Sequence, residues 1–98
     1  MSSSDNKQSS DGLLETLLGR EVVLDLSSRY VCLGTLTGRD ATFLVLENAD
    51  MHDLRDTTTT RELYVLDAKR HGINSNRRQI LVRRDEVVGF SALEDVLE

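Results

Sequence analysis

The chain is short of several things that would point to a function. It has no proline or tryptophan, only one cysteine, Cys32, and only four aromatic residues, Tyr30, Phe43, Tyr64 and Phe90. A lone cysteine excludes an internal disulfide and fits a reducing compartment. So few aromatics argue against a broad base-stacking platform of the kind that holds single-stranded nucleic acid. No apolar run approaches the roughly 20 residues that span a bilayer, and no charged-then-apolar leader opens the chain. A cytoplasmic location, or a nuclear one in a eukaryote, is the expectation, with no membrane partner. The formal net charge of −5 speaks against binding a polyanion by bulk electrostatics alone.

What is present is one domain's worth of chain, 98 residues, 39% hydrophobic and 30% charged. Charge is unevenly placed. Lys69, Arg70, Arg77, Arg78, Arg83 and Arg84 follow one another with no acid between them, whereas Asp85, Glu86, Glu94, Asp95 and Glu98 close the chain with no base. The Lys69–Arg84 cluster would either neutralise phosphates or protect a strand edge from aggregation.

The clearest architectural signal is Tyr30–Ala49. Val31, Leu33 and Thr35 alternate with Cys32, Gly34 and Leu36, as in a strand. Gly38-Arg39-Asp40 makes a turn, and a third strand follows over Thr42–Ala49. Gly34 within such a strand marks a bend or bulge. Before it, Val22, Leu24 and Leu26 alternate with Val23, Asp25 and Ser27 in a first strand. Glu62–Ala68 reads as another strand, with Leu63 and Val65 against Tyr64 and Leu66. His71–Asn76 carries turn chemistry, and Thr57–Thr60 fits strand or loop. Ile80–Arg84 and Val87–Phe90 are two further short strands.

Met1–Ser10 reads as a disordered tail, residues 11–90 as the folded domain, and Ser91–Glu98 as an acidic tail. Asp11 is placed to cap a short helix whose leucines, Leu13, Leu14, Leu17 and Leu18, form one stripe ending at Gly19. Such a short helix needs a surface to cover. The expected fold is therefore mainly β: a short N-terminal helix on a small, strongly bent antiparallel barrel of five or six strands. Of two short apolar strands near the chain's end, at least one would leave unpaired backbone groups, which favours edge-to-edge assembly into a homo-oligomeric ring.

Two stretches carry a family resemblance. Gly34–Asp40, GTLTGRD, followed by Leu46–Ala49, LENA, resembles the first signature of the Sm/LSm family, and Ile80–Phe90, ILVRRDEVVGF, resembles the second. The resemblance spans about Leu13–Phe90 and implies an Sm-like, SH3-like barrel that forms rings and associates with RNA. Carried onto this sequence, it marks Asp40, Phe43, Arg83 and Arg84 as RNA-binding candidates. The chain departs from the family at telling places. Counting from Asp40 puts Thr42 at the base-stacking position and Leu44 at the base-reading asparagine. Counting back from Leu46 puts Phe43 at that asparagine. Neither register supplies the amide, and Arg84 replaces a glycine. Weak base selectivity follows.

Other readings are open beside these. Arg83 would also serve as an ion-pair partner of Asp85 or Asp40, and Asp40 as a cap of its own turn. Phe43 suits the core, and Cys32 a small buried hydrophobe. His52 with Asp50 and Asp53 has metal-ligand residue types but no second cluster at fixed spacing. No catalytic constellation, cofactor motif or small-molecule site is apparent, so an enzyme is not expected. The alternative to RNA association is a ring that organises protein partners without it.

Overall fold

The computed structural model describes residues 12–56 and 60–98. The putting-together of the chain is antiparallel throughout. Strands β1 (Glu21–Leu26), β2 (Tyr30–Arg39), β3 (Phe43–Asp53), β4 (Arg77–Arg83) and β5 (Val87–Ala92) form one sheet in the order β4-β3-β2-β1-β5. It is strongly bent but not closed: β4 and β5 are both edges, so the expected barrel is an open one of five strands.

Gly34 is where the bend is made. The β2–β3 register slips between Leu33 and Thr35, and Asn48 opposite adopts a positive φ of 49°. Ala49 crosses so near Gly34 that a Cβ there would lie 3.1 Å from Ala49 Cβ and 3.2 Å from its Cα. Asparagine tolerates the left-handed backbone, and glycine alone fits beneath the crossing. A second slip lies between Leu36 and Gly38.

Bending separates two apolar faces. On one, Val22, Leu24, Leu26, Cys32, Leu36, Leu44, Leu46, Ala49 and Val82 pack with Leu14. On the other, Val23, Val31 and Leu33 pack with Val65, Ala68 and Leu93. The period-2 pattern of β1 and β2 thus has both phases buried, because each face has its own cover.

Helical residues 12–15, continued by hydrogen-bonded turns to Gly19, cover the first face. The predicted cap, Asp11, lies outside the described residues. Of the four leucines, Leu14 is 2% exposed and Leu17 packs against the core, but Leu13 is 73% exposed and Leu18 also faces solvent. The segment is docked through half its stripe. Gly19, at φ 82°, lets the chain leave this turn and donate its N–H to the Leu36 carbonyl at 2.7 Å. Leu14→Ala is expected to cost about 2–5 kcal/mol, and Leu13→Ala within about 0.5 kcal/mol of nothing. Thermal melts of the two variants check this; equal losses would contradict the docking.

The second face is covered by an element the sequence reading missed. Residues expected to form a strand over Glu62–Ala68 form helix α1, Arg61–His71. Its ends explain why. Thr60 caps it by accepting a hydrogen bond from the Leu63 N–H at 3.2 Å, Glu62 lies in the first turn, and Lys69, Arg70 and His71 lie in the last. Gly72, at φ 93°, stops it. The alternation of Leu63, Tyr64, Val65 and Leu66 suits a strand, but Val65 and Ala68, three apart, are the buried pair. Residues 57–59, within the stretch read as strand or loop, lie outside the described residues.

Strands β3, β4 and β5 all run further than the sequence pattern predicts. Asn76 extends β4 by side-chain mimicry of a ladder, accepting from Met51 N–H and donating to the Met51 carbonyl, each at 3.3 Å. At the other end of the sheet, Ser91 and Ala92 belong to β5, and Leu93, 4% exposed, begins a 3₁₀ turn over Leu93–Asp95. The final residues lie against α1. Lys69 Nζ donates to the Val96 carbonyl, and Arg70 pairs with Glu98 at 2.9 Å.

Candidate nucleic-acid interface

The four residues marked by sequence meet at one end of the sheet, where the β2–β3 turn abuts the β4–β5 link. Phe43 and Arg83 are register partners across β3 and β4. Arg84 ties the two connections together: its backbone N–H donates to the Thr42 carbonyl at 2.8 Å, and its guanidinium to the Asp40 carbonyl at 2.7 Å. An arginine where a glycine was expected is accounted for by this second bond.

Asp40 holds the turn. Its Oδ1 accepts from the backbone N–H groups of Phe43 at 2.7 Å and Thr42 at 2.8 Å, while its own N–H donates to the Phe43 carbonyl. Those two backbone donors, Phe43 first, hold its carboxyl below the ordinary range. This is the local-turn role of aspartate. Arg83 reaches Asp85 at 2.8 Å, with both side chains more than 60% exposed, so the pair is readily exchanged for another partner.

Phe43 is half-buried and Thr42 exposed, whereas Leu44 is 1% exposed and belongs to the core. Of the positions that the two alignments nominate for reading a base, Leu44 is therefore closed to solvent. Phe43 offers an aromatic face but no base-edge hydrogen bond. The charges here are mixed, since Asp40, Asp85 and Glu86 stand beside Arg83 and Arg84. What the arrangement can do is present one exchangeable cation, Arg83, and one aromatic ring at a strand end that Arg84 helps to hold. It has no amide with which to distinguish one base from another.

The residues with metal-ligand chemistry do not converge. Among the described residues no three of His, Cys, Asp and Glu are arranged to hold an ion. Asp53 is taken by Arg55, whose side-chain and backbone N–H groups pull its carboxyl down to about 2. His52 stacks on Tyr64 of α1, ring centroids 4.1 Å apart. Cys32 is buried, with its thiol 3.6 Å from Met51 Sδ, and burial pushes it up to about 11.

Asp50 is different: the sequence marked it only as a metal-ligand residue type beside His52 and Asp53, and nothing pointed to its burial. Only 8% exposed, it receives no hydrogen bond from any described residue, and burial raises its carboxyl above the ordinary 3.8. A raised folded-state value means that its protonated form favours folding. That contribution is complete below about pH 3.8 and is lost as pH rises through the raised value. Asp50→Asn should therefore melt higher than the parent at pH 7, and no higher at pH 3. A loss of stability at pH 7 would show that the carboxylate is satisfied.

No helix among the described residues is long and apolar enough to cross a membrane. No protein-family model matches the chain, and no curated protein does. Its fold does match a solved structure, that of the Pyrococcus abyssii Sm protein in complex with a uridine heptamer. The two superpose with a TM-score of 0.57 over 83% of this chain and 93% of that one, at 20% sequence identity.

Proposed function

From an Sm-like fold with two open sheet edges, we propose that this chain is the subunit of a homo-oligomeric ring that associates with RNA, chiefly through phosphate, with weak base selectivity. The role is one of binding and assembly, not catalysis, with no cofactor or small-molecule substrate, in the cytoplasm or the nucleus. The observation that carries the reading is the likeness of the fold, over 83% of this chain, to an Sm protein that was itself solved with a uridine heptamer.

The edges support assembly. Leu81 on β4 is 57% exposed, and Val88 and Phe90 on β5 are 69% and 45% exposed. Arg77, Arg78 and Arg83 line β4, whereas Asp85, Glu86, Glu94 and Asp95 flank β5. Two edges with apolar centres and opposite charges suit head-to-tail pairing of identical copies, which closes a ring if the rotation allows.

For RNA, Arg83 and Arg84 are the proposed phosphate contacts, Phe43 the surface for a base, and Asp40 the cap that holds the turn carrying it. Phosphate contacts position a strand, and base-edge contacts specify it. Only the first kind is well supplied. Fluorescence anisotropy with labelled U-rich and A-rich oligonucleotides of equal length tests this. Affinity should fall steeply between low and moderate salt and differ little between the two sequences. A tight, uracil-selective complex that survives high salt would contradict weak selectivity. No binding at low salt would overturn the RNA reading in favour of a ring that organises protein partners.

A further inference from the structure

Helix α1 does more than cover the sheet. With the turn after it, it encloses a cavity of about 50 Å³ whose walls are Leu33, Asp50, Tyr64, Asp67, Ala68, Gly72 and Asn74. Asp50 lies at its inner end on β3; Asp67 and Asn74 are exposed and form the mouth. The walls thus carry two carboxylates and no base.

Two observations mark the cavity as unbalanced. Asp50 is only 8% exposed as a residue, and its carboxylate accepts no hydrogen bond from a described residue. Tyr64, the aromatic wall, has a buried hydroxyl that also lacks a partner among them. The charged groups that act on Asp50 through space are His52 on β3 and Arg77 on β4, both of which favour its ionised form; Asp67 on α1 lines the same cavity and lies 3.7 Å from His71 Nε2. Neither the His52 nor the Arg77 side chain donates to Asp50. A desolvated carboxylate without a donor is costly, and a bound cation with N–H groups relieves that cost.

We propose that this cavity binds a primary ammonium group, with Asp50 as the buried counter-charge and Asp67 and Asn74 accepting at the mouth. The number of acceptors decides the class of ligand. An ammonium has three N–H donors, matched by two carboxylates and one amide oxygen. Among the described residues no three His, Cys, Asp or Glu side chains are arranged to hold a metal ion, so the walls do not form a metal shell. The Tyr64 ring adds a surface against which a cation is favourable. A lysine side chain and a polyamine share this chemistry.

Titration of the full chain at pH 7, followed by amide NMR, tests the proposal. Methylammonium chloride should produce saturable shifts at Asp50, Asp67, Gly72 and Asn74. Potassium chloride and tetramethylammonium chloride, which lack N–H donors, should not at equal ionic strength. Asp50→Asn should keep the folded spectrum and lose the response. Spermidine and Nα-acetyl-lysine amide, titrated in parallel, identify the source by which saturates at the lower concentration. Equal responses to the three salts, or an undiminished response in Asp50→Asn, would overturn the proposal and leave water as the cavity's occupant.

Discussion

On the proposed ring assembly, Val88→Pro is expected to yield folded monomers of 11.0 kDa. Proline cannot donate to a ladder, so an edge that carries it is closed to a neighbouring strand. The position is chosen because the protomer can bear the change. Along β5 the register with β1 pairs Gly89 with Asp25 and then Val87 with Leu26, so Val88 sits at a slip with no opposite residue. Bulges are where sheets accept proline. Its side chain is 69% exposed, so little core is disturbed. Leu81→Asp, on the other edge, should have the same outcome, because every contact in a head-to-tail ring uses one β4 and one β5. Sedimentation measures mass, and circular dichroism confirms that the strands persist. Variants that stay folded and keep the parent's mass would place the interface elsewhere.

The second large effect is at Gly34. Gly34→Val should destabilise the protein by about 1–3 kcal/mol or more, enough to lower a melting temperature by many degrees in a domain of this size. The added carbon meets Ala49 Cβ, Ala49 Cα and the Glu47 carbonyl oxygen, all at 3.1–3.2 Å. Two of these three are backbone atoms and cannot rotate away. The strands must then separate where the sheet bends, which unsettles the Leu46 and Ala49 side of the core. Gly38→Val offers the comparison, since a carbon added at Gly38 meets only Val45, at 3.5 Å or more. Chemical denaturation of both variants should rank Gly34→Val as clearly the worse. A reversed ranking would show that the bend does not depend on the close crossing.

Sequence carried the sheet well because burial there follows a period of two. Val31 and Leu33 do face one cluster, and Cys32 and Leu36 the other. Gly34 was legible as a bend for the same reason, since a small residue interrupts a run of packed ones. Helix α1 was misread because four alternating residues weighed more than the signals at its ends. Thr60, Glu62, the basic last turn and Gly72 mark a helix more firmly than Leu63–Leu66 mark a strand. The N-terminal stripe overstated burial, since spacing alone cannot tell which half of it meets the sheet.

The candidate RNA site was legible as a set of residues but not as an arrangement. Asp40, Phe43, Arg83 and Arg84 lie together because β3 pairs with β4, a long-range fact that only the paired signatures hinted at. That Leu44 turns inward and Phe43 stays half-exposed settles which of the two neighbours reaches the surface. Asp50 could not be foreseen, because its burial depends on α1, which the sequence reading had cast as a strand.

Assembly through the two open edges is tested most directly by the mass of the unmodified protein. Native mass spectrometry or sedimentation at micromolar concentration should give one closed species whose mass is a whole multiple of 11.0 kDa. A stable 11.0 kDa monomer under those conditions would contradict it.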